Sequence, residues 1–119
     1  MDHRKLGLRV YATAATYSDA LGLAERLIGH LSPLVAVREC RVYPYPKFDA
    51  CFGLWLELSA PDQGSAFDRV QELVAPHWGT HGAPGDRSAI WNQPTDGGVA
   101  VLPEATWIHL NLWSDPDED

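Results

Sequence analysis

The sequence has few cysteines, no long apolar run and no motif that indicates a particular enzymatic reaction. Its two cysteines form no CxxC pair, and two thiols are too few for a zinc cluster or a disulfide framework. They fall on two strands expected to form a hairpin, with Cys40 opposite about Trp55 rather than Cys51, so both are predicted to be free thiols. No apolar segment is long enough to cross a bilayer, and no signal-peptide core follows the N-terminal basic residues. We therefore expect a cytoplasmic protein without a membrane partner.

Basic residues are also scarce. Nine lysines and arginines stand against sixteen acids, which gives a formal net charge of −7 at pH 7. Four of the acids lie in the last five residues, so the rest of the chain carries −3 (−7 less −4). We predict a single domain at 1–114 and a solvated acidic tail at 115–119. Since no large cationic surface is available for phosphates, nucleic acid is not an expected partner, whereas a basic protein would be attracted.

The apolar residues that are present follow regular patterns along the 119-residue chain. They alternate with polar residues in the predicted strands and recur at helical spacing in the predicted helices. The first helix is expected to have Ser18 as its N-cap and to stop at Pro33, and the second to close at Pro76. The predicted strands are 6–12, 35–43, 51–59 and 106–113, the predicted helices lie between 18 and 33 and at 62–75, and shorter strands are expected at 88–92 and 99–102 around a turn at 93–98.

The order of these elements is β-α-β-β-α-β, with extra short strands before the last one. Two amphipathic helices between strands favour an α+β protein of the ferredoxin-like type, in which both helices cover one face of an antiparallel sheet. In that arrangement the first and third strands are central, and the last strand lies beside the first. We expect Leu54, Leu56, Ile108 and Leu110 to be buried between the sheet and the helices.

The stretch HWGTHGAPGDRSAIWN, residues 77–92, is the first place to look for chemistry. His77 and His81 have the spacing of two metal ligands on one helix face, but Pro76 and the glycines make a helix improbable, and only Asp86 could serve as a third ligand. GAPGDRS lacks the Gly-Lys-Ser/Thr pattern of a phosphate-binding loop. Asp86 is expected to pair with Arg87 or to cap a turn. We predict no metal and no cofactor.

Catalytic nucleophiles are not evident either. Ser88 could lie near a histidine but has no nucleophile elbow around it, and Cys51 has no basic neighbour in sequence that would lower its pKa. Trp78 and Trp91 are expected to wall the end of the core, each with its indole N–H on a carbonyl. The stretch is therefore predicted to be a structural loop leading to a short strand, and no catalytic residue is assigned.

The stronger signal is the strand face that points away from the helices. Strand alternation places three tryptophans and two tyrosines there, together with acidic residues and a histidine. So much apolar surface on one sheet face usually marks an interface or a ligand site. The candidate binding residues are Tyr11, Glu39, Tyr43, Trp55, Glu57, Trp107, His109 and Trp113.

Several occupants of this face remain open at this point. The C-terminal segment or the loop 77–104 could cover it, or two copies of the chain could pack sheet on sheet as a homodimer. Stacking of RNA bases is rejected because the chain is acidic. A dimeric α+β barrel could instead line a cavity with Trp55, Glu57, Trp107 and His109 and bind or oxidise a small aromatic molecule. A protein partner would use the same aromatic residues as anchors and the acids as charge complement.

The C-terminal third of this small acidic chain, which has no catalytic motif, carries the residues Trp91, Asn92, Trp107, Ile108, His109 and Leu110. In these residues it resembles small bacterial immunity proteins of polymorphic toxin systems. The resemblance implies a non-catalytic protein that binds and neutralises a cognate toxin. Because that group is diverse in fold, no residue roles are carried over. Immunity-type binding of a basic toxin domain is the leading hypothesis, and the dimeric barrel is the alternative.

Overall fold

The computed structural model describes residues 4–76, 78–83 and 86–114. Within these ranges the chain forms an antiparallel sheet and three helices, which confirms the predicted α+β class. The elements, in chain order, are β1 (Lys5–Thr13), α1 (Tyr17–Leu31), β2 (Ala36–Pro44), β3 (Cys51–Ser59), α2 (Gln63–Val74), β4 (Gly79–Ala83), β5 (Asp86–Asn92), α3 (Gln93–Asp96) and β6 (Ala105–Trp113). This order is longer than β-α-β-β-α-β by β4, β5 and α3.

The two long helices begin at capping side chains. Thr16, rather than the predicted Ser18, is the N-cap of α1, and its hydroxyl oxygen accepts a hydrogen bond from the Asp19 amide at 3.1 Å. Ser18 is already inside the first turn. Asp62 caps α2 and accepts from the Ser65 amide at 3.1 Å. Each cap satisfies an amide that the first helical turn leaves without a partner.

All six strands belong to one sheet with the spatial order β2-β3-β1-β6-β5-β4. Every pair of neighbours in it is antiparallel. Leu8 of β1 lies between Leu56 of β3 and Leu110 of β6. Because side chains alternate between the faces of a sheet, this register aligns the apolar residues of the three strands on one face. We call this side the inner face.

The inner face and the helices share one hydrophobic core. Leu54, Leu56, Ile108 and Leu110 have at most 1% of their surface exposed, as predicted. Helix α1 contacts β2 and β3, while α2 contacts β1 and β6. The buried residues of the helices that join this core include Leu23, Leu27, Leu31, Phe67, Val70 and Val74.

The two tryptophans of the 77–92 stretch close the core as predicted. Trp91 is completely buried and donates its indole N–H to the Gly97 carbonyl at 2.9 Å. Trp78 donates to the carbonyls of Gln71 and Ala75, at 2.8 and 2.9 Å, where α2 ends. These bonds satisfy the polar end of each ring while its apolar body packs.

Three local predictions for the region after α2 were wrong. A strand, β4, replaces the loop expected at 79–83, because the pairing of Gly79 with Ile90 and its neighbours supplies the order that the local sequence lacks. A short helix, α3, replaces the turn predicted at 93–98. Residues 99–102 form no strand, and their alternation reflects a loop in which Ala100 and Leu102 enter the core while Val99 stays exposed.

The cysteines are free thiols, as predicted. Cys40 is opposite Leu56 rather than Trp55, because the hairpin strands pair as far as Pro44 and Phe52, which sets the register one residue away from the expected one. None of the helices in the described ranges has both the length and the apolar character needed to cross a membrane.

Candidate functional site

The predicted aromatic face exists on the side of the sheet opposite the core. We call it the outer face. Arg9 of β1 is directly opposite Trp55 of β3 and His109 of β6, so these three residues alternate out of phase with the buried leucines. By the same register, the outer face comprises Glu39, Arg41 and Tyr43 of β2, Trp55 and Glu57 of β3, Arg9 and Tyr11 of β1, Trp107, His109, Asn111 and Trp113 of β6, and Ser88, Ile90 and Asn92 of β5. All eight predicted binding residues are among them.

At one end of the outer face three rings stack in a row. Tyr11 lies between Tyr45 and Trp107, with ring centroids 4.3 and 5.0 Å apart and interplanar angles of 13° and 26°. Trp107 in turn meets the edge of the His109 ring at 5.8 Å. Tyr45 comes from the hairpin between β2 and β3 and was not predicted to take part. Such stacking fixes the rings in place, so they form a rigid surface.

A second aromatic pair lies toward the other end of the outer face. Trp55 and Trp113 have ring centroids 6.4 Å apart, and the guanidinium of Arg9 sits 5.4 Å from the Trp55 ring centroid. The Trp55 ring lies over Gly7, where any Cβ atom would collide with it. Gly53 plays the same part beneath the Tyr43 ring. Glycine at these two positions lets large rings lie flat against the backbone of the sheet.

The charged side chains of the outer face include both signs. Glu39 forms an ion pair with Arg41, with 2.6 Å between Oε1 and Nε. Glu57 is the other acid, and Arg9 is a second cation on the same surface. The excess of acidic residues in the chain therefore lies mainly elsewhere. Because Arg41 neutralises Glu39, Glu57 is the candidate acid of this surface for attracting a basic partner.

His109 is held by a residue that the sequence interpretation set aside. Its Nε2 atom lies 2.6 Å from the Ser88 hydroxyl oxygen, because β5 and β6 pair and bring residues 88 and 109 onto neighbouring positions. Burial, and then the nearby positive charge of Arg9, lower the pKa of His109, which favours the neutral imidazole. The register of two strands, not any local motif, creates this pair.

The Ser88–His109 pair lacks the other parts of a nucleophilic site. A serine nucleophile needs a base that is oriented by a third group and amide donors aimed at the developing oxyanion. In the ranges that the structure describes, no third side chain bonds His109. Ser88 and His109 both lie within paired strands, where backbone amides serve the sheet ladder. What the arrangement supports is a fixed, neutral imidazole beside Trp107.

The hydroxyl of Tyr43 connects β2 to the stacked row. Burial raises the pKa of Tyr43, and a hydrogen bond between its side chain and that of Tyr11 acts in the same direction. Tyr43 therefore stays protonated at neutral pH, so that its ring and hydroxyl present an uncharged surface. This contact makes the aromatic residues of β1 and β2 one continuous part of the outer face.

The strands of the 77–104 segment, β4 and β5, lie beside the other strands and do not cross the outer face. Strand β5 pairs with β6 and extends the sheet sideways, and β4 extends it again. Trp55, Trp107 and Trp113 remain partly exposed. The acidic tail at 115–119 lies outside the described residues, so the predicted solvated tail stays a prediction and coverage of the face by the C-terminal segment stays an alternative.

Only part of the loop chemistry considered from the sequence falls on described residues. His77 lies outside the described residues, and no group of three possible metal ligands occurs among the residues that are described. Asp86 and Arg87 do not pair with each other. Arg87 instead binds Asp68 on α2 at 2.7 Å, and Asp86 accepts from the Ser114 amide at 3.0 Å. Their partners are 19 and 28 residues away in sequence, so the local sequence pattern does not indicate them.

Comparison with known proteins adds no assignment to this geometry: no family model, no curated protein and no solved structure matches the chain.

Proposed function

We propose that the protein is a non-catalytic binding domain that engages a protein partner through its outer face. The observation that carries this proposal is the set of partly exposed tryptophans and tyrosines held flat on the sheet by stacking and by Gly7 and Gly53. Rigid aromatic rings supply large contact areas and lose little conformational entropy on binding, which is why they dominate the energetics of interfaces. Trp55 and Trp107 are the proposed anchors.

The proposed partner is a basic toxin domain that the protein neutralises as an immunity protein. The net charge of −7 supports attraction of a basic partner. Glu57 is the acid of the outer face that would contribute at short range. The incomplete surroundings of Ser88 and His109 support binding rather than turnover. The resemblance of the C-terminal third to immunity proteins is the reason for proposing a toxin as the partner.

We further propose that the underlying fold is ferredoxin-like, with an insertion before the last strand. The sheet order β2-β3-β1-β6 supports this interpretation, because it places the first and third strands at the centre and the last strand beside the first. The shared core of α1 and α2 with the inner face is consistent with two helices on one side. In this scheme β4, β5 and α3 extend one edge of a four-stranded unit.

The proposal can be tested by affinity capture from the native host, followed by growth rescue with the captured protein. Three forms would serve as bait: the unmodified protein, Trp55→Ala, and Leu21→Ala as a matched control. Leu21 is an exposed apolar residue on α1, with 40% of its surface accessible, and it lies away from the outer face. We expect one protein to be recovered by the first and third baits and lost with Trp55→Ala.

The captured protein should be toxic when it is expressed alone and harmless when the unmodified chain is co-expressed with it. Trp55→Ala should fail to rescue growth, whereas Leu21→Ala should rescue it fully. Equal recovery and equal rescue by all three forms would reject the outer face as the binding surface. A stable homodimer whose outer faces bury each other, with no protein captured, would favour the dimeric α+β barrel instead.

A further inference from the structure

A cleft opens beside the stacked rings, at the hairpin end of the outer face. It has a volume of about 660 Å³, within the range typical of small-molecule sites. The ends of β1 and β6 form its floor, the hairpin between β2 and β3 forms one wall, and Asn92 and Pro94 at the start of α3 form the other. None of Trp55, Glu57 and His109 lines it, so it differs from the cavity that the sequence suggested.

Four of the eleven residues that line the cleft are aromatic. Tyr11, Tyr45 and Trp107 contribute the stacked row, and Phe48 approaches Tyr45 at a tilt of 52°, with 5.9 Å between ring centroids. Phe48 is 59% exposed, although it is one of the largest apolar side chains of the protein. A flat ring inserted next to Phe48 would cover apolar surface that now faces solvent and would gain offset or edge contacts with the neighbouring rings.

Polar and charged side chains also line the cleft. Asn92, Thr13 and Thr106 offer amide and hydroxyl groups, while Lys47 and Asp49 bring charges of opposite sign to the hairpin. Burial raises the pKa of the Cys51 thiol, so this lining residue is uncharged at neutral pH. Apolar walls with a few polar groups at the rim are typical of sites that orient a small ligand. The balanced charges favour a ligand without net charge.

From this geometry we infer that the cleft binds a neutral, flat aromatic small molecule. The molecule has one ring or two fused rings and carries a hydrogen-bonding group on its edge. The ring enters beside Phe48 and the stacked row, and its polar edge points to the amide and hydroxyl groups at the rim. This inference is independent of the protein partner proposed above. It concerns a largely different set of side chains, and the cleft shares Tyr11, Asn92 and Trp107 with the outer face.

The test is a titration of the full chain with 2-naphthol, followed through backbone amide signals in ¹⁵N–¹H NMR spectra. The matched ligand control is decahydro-2-naphthol, which keeps the hydroxyl group and the two-ring skeleton but is saturated and not flat. We expect 2-naphthol to shift the signals of the 45–51 hairpin and of Asn92, and to bind at least fivefold more tightly than the saturated compound.

Two protein variants make the test specific for the cleft. Phe48→Ala removes an exposed ring and should weaken 2-naphthol binding at least fivefold without unfolding the chain. Tyr17→Ala is the matched control, because Tyr17 is also an exposed aromatic residue, at 51%, but does not line the cleft. It should leave the affinity unchanged. Equal binding of the flat and saturated compounds, or equal affinities of Phe48→Ala and the unmodified chain, would overturn the proposal.

Discussion

The two faces of the same sheet are built from different side chains and have different accessibility. The inner face is mainly aliphatic, and Leu8, Leu56 and Leu110, which lie side by side across three strands, are completely buried. The outer face carries Trp55 and Trp113 beside charged residues, and these rings remain partly exposed. The inner face supplies the hydrophobic core that folding requires. The outer face holds large apolar rings in contact with water, which is the arrangement expected of a binding surface.

The largest effect that tests the difference between the two faces is expected at Leu56, which has no exposed surface. Replacing it with alanine should destabilise the protein by about 2–5 kcal/mol, because transfer energy is lost and a cavity is left in the core. Urea unfolding followed by circular dichroism would measure this change. A loss below about 0.5 kcal/mol, the usual size for a surface position, would show that the strand phase is wrong by one residue.

The adjacent residue, Trp55, tests the same difference from the side of the outer face. Because Trp55 points to the outer face and is only partly buried, Trp55→Ala should cost about 1 kcal/mol of stability, near the centre of the range for single substitutions. The same urea unfolding experiment would give this value. If Trp55→Ala were as destabilising as Leu56→Ala, the tryptophan would belong to the structural core and the distinction between the faces would fail.

The half-buried imidazole of His109 should make stability depend on pH. Its folded-state pKa is lowered, mainly by burial, so on acidification the unfolded chain takes up this proton before the folded chain does. The contribution of His109 is therefore fully present above about pH 6.5, the ordinary pKa, and falls as pH drops from there to the lowered folded value.

Unfolding free energies measured between pH 7.5 and 5 would test this, with His109→Gln as the key variant. Glutamine offers a nitrogen near the position of Nε2 but does not titrate, so the decline in this range should become shallower. His30→Gln is the control, because His30 is exposed in the last turn of α1. A decline that is unchanged in His109→Gln and reduced in His30→Gln would contradict the role of His109.

The smallest effect is expected at Glu39. Its ion pair with Arg41 is largely exposed, and such pairs are typically worth about 0–1 kcal/mol and weaken with salt. Glu39→Gln should therefore change stability by less than about 1 kcal/mol in low salt and by less in 0.5 M salt. A larger loss that persists in high salt, measured by the same unfolding experiment, would mean that the outer face is more structural than proposed.

Much of this contrast between faces could be read from alternation alone. Strand β3 was predicted with its observed limits, and the residues of β6 were assigned to the correct faces. Period-two patterns are reliable where one face is buried, because a shift of one residue would move every leucine into water. The carbonyl partners of Trp78 and Trp91 followed from the same physical requirement, since a buried indole N–H needs an acceptor.

The parts that could not be predicted depend on pairing between distant segments. β4 contains glycines and no clear alternation, so its strand conformation comes from β5. Ser88 reaches His109, and Arg87 reaches Asp68, only after strands and helices are in place. The proximity of Glu39 and Arg41 was an accessible signal, because residues two apart on a strand share a face. Gly7 and Gly53 were a similar signal for rings lying over the backbone.

The most direct test of the central claim is the affinity of the captured partner for the unmodified protein and for Trp55→Ala. Isothermal titration calorimetry would measure both dissociation constants, with Leu21→Ala as the control and circular dichroism confirming that each variant is folded. If the outer face is the binding surface, Trp55→Ala should lose about 2 kcal/mol, a factor of roughly thirty in Kd, while Leu21→Ala binds normally. An unchanged Kd for a folded Trp55→Ala would contradict the account.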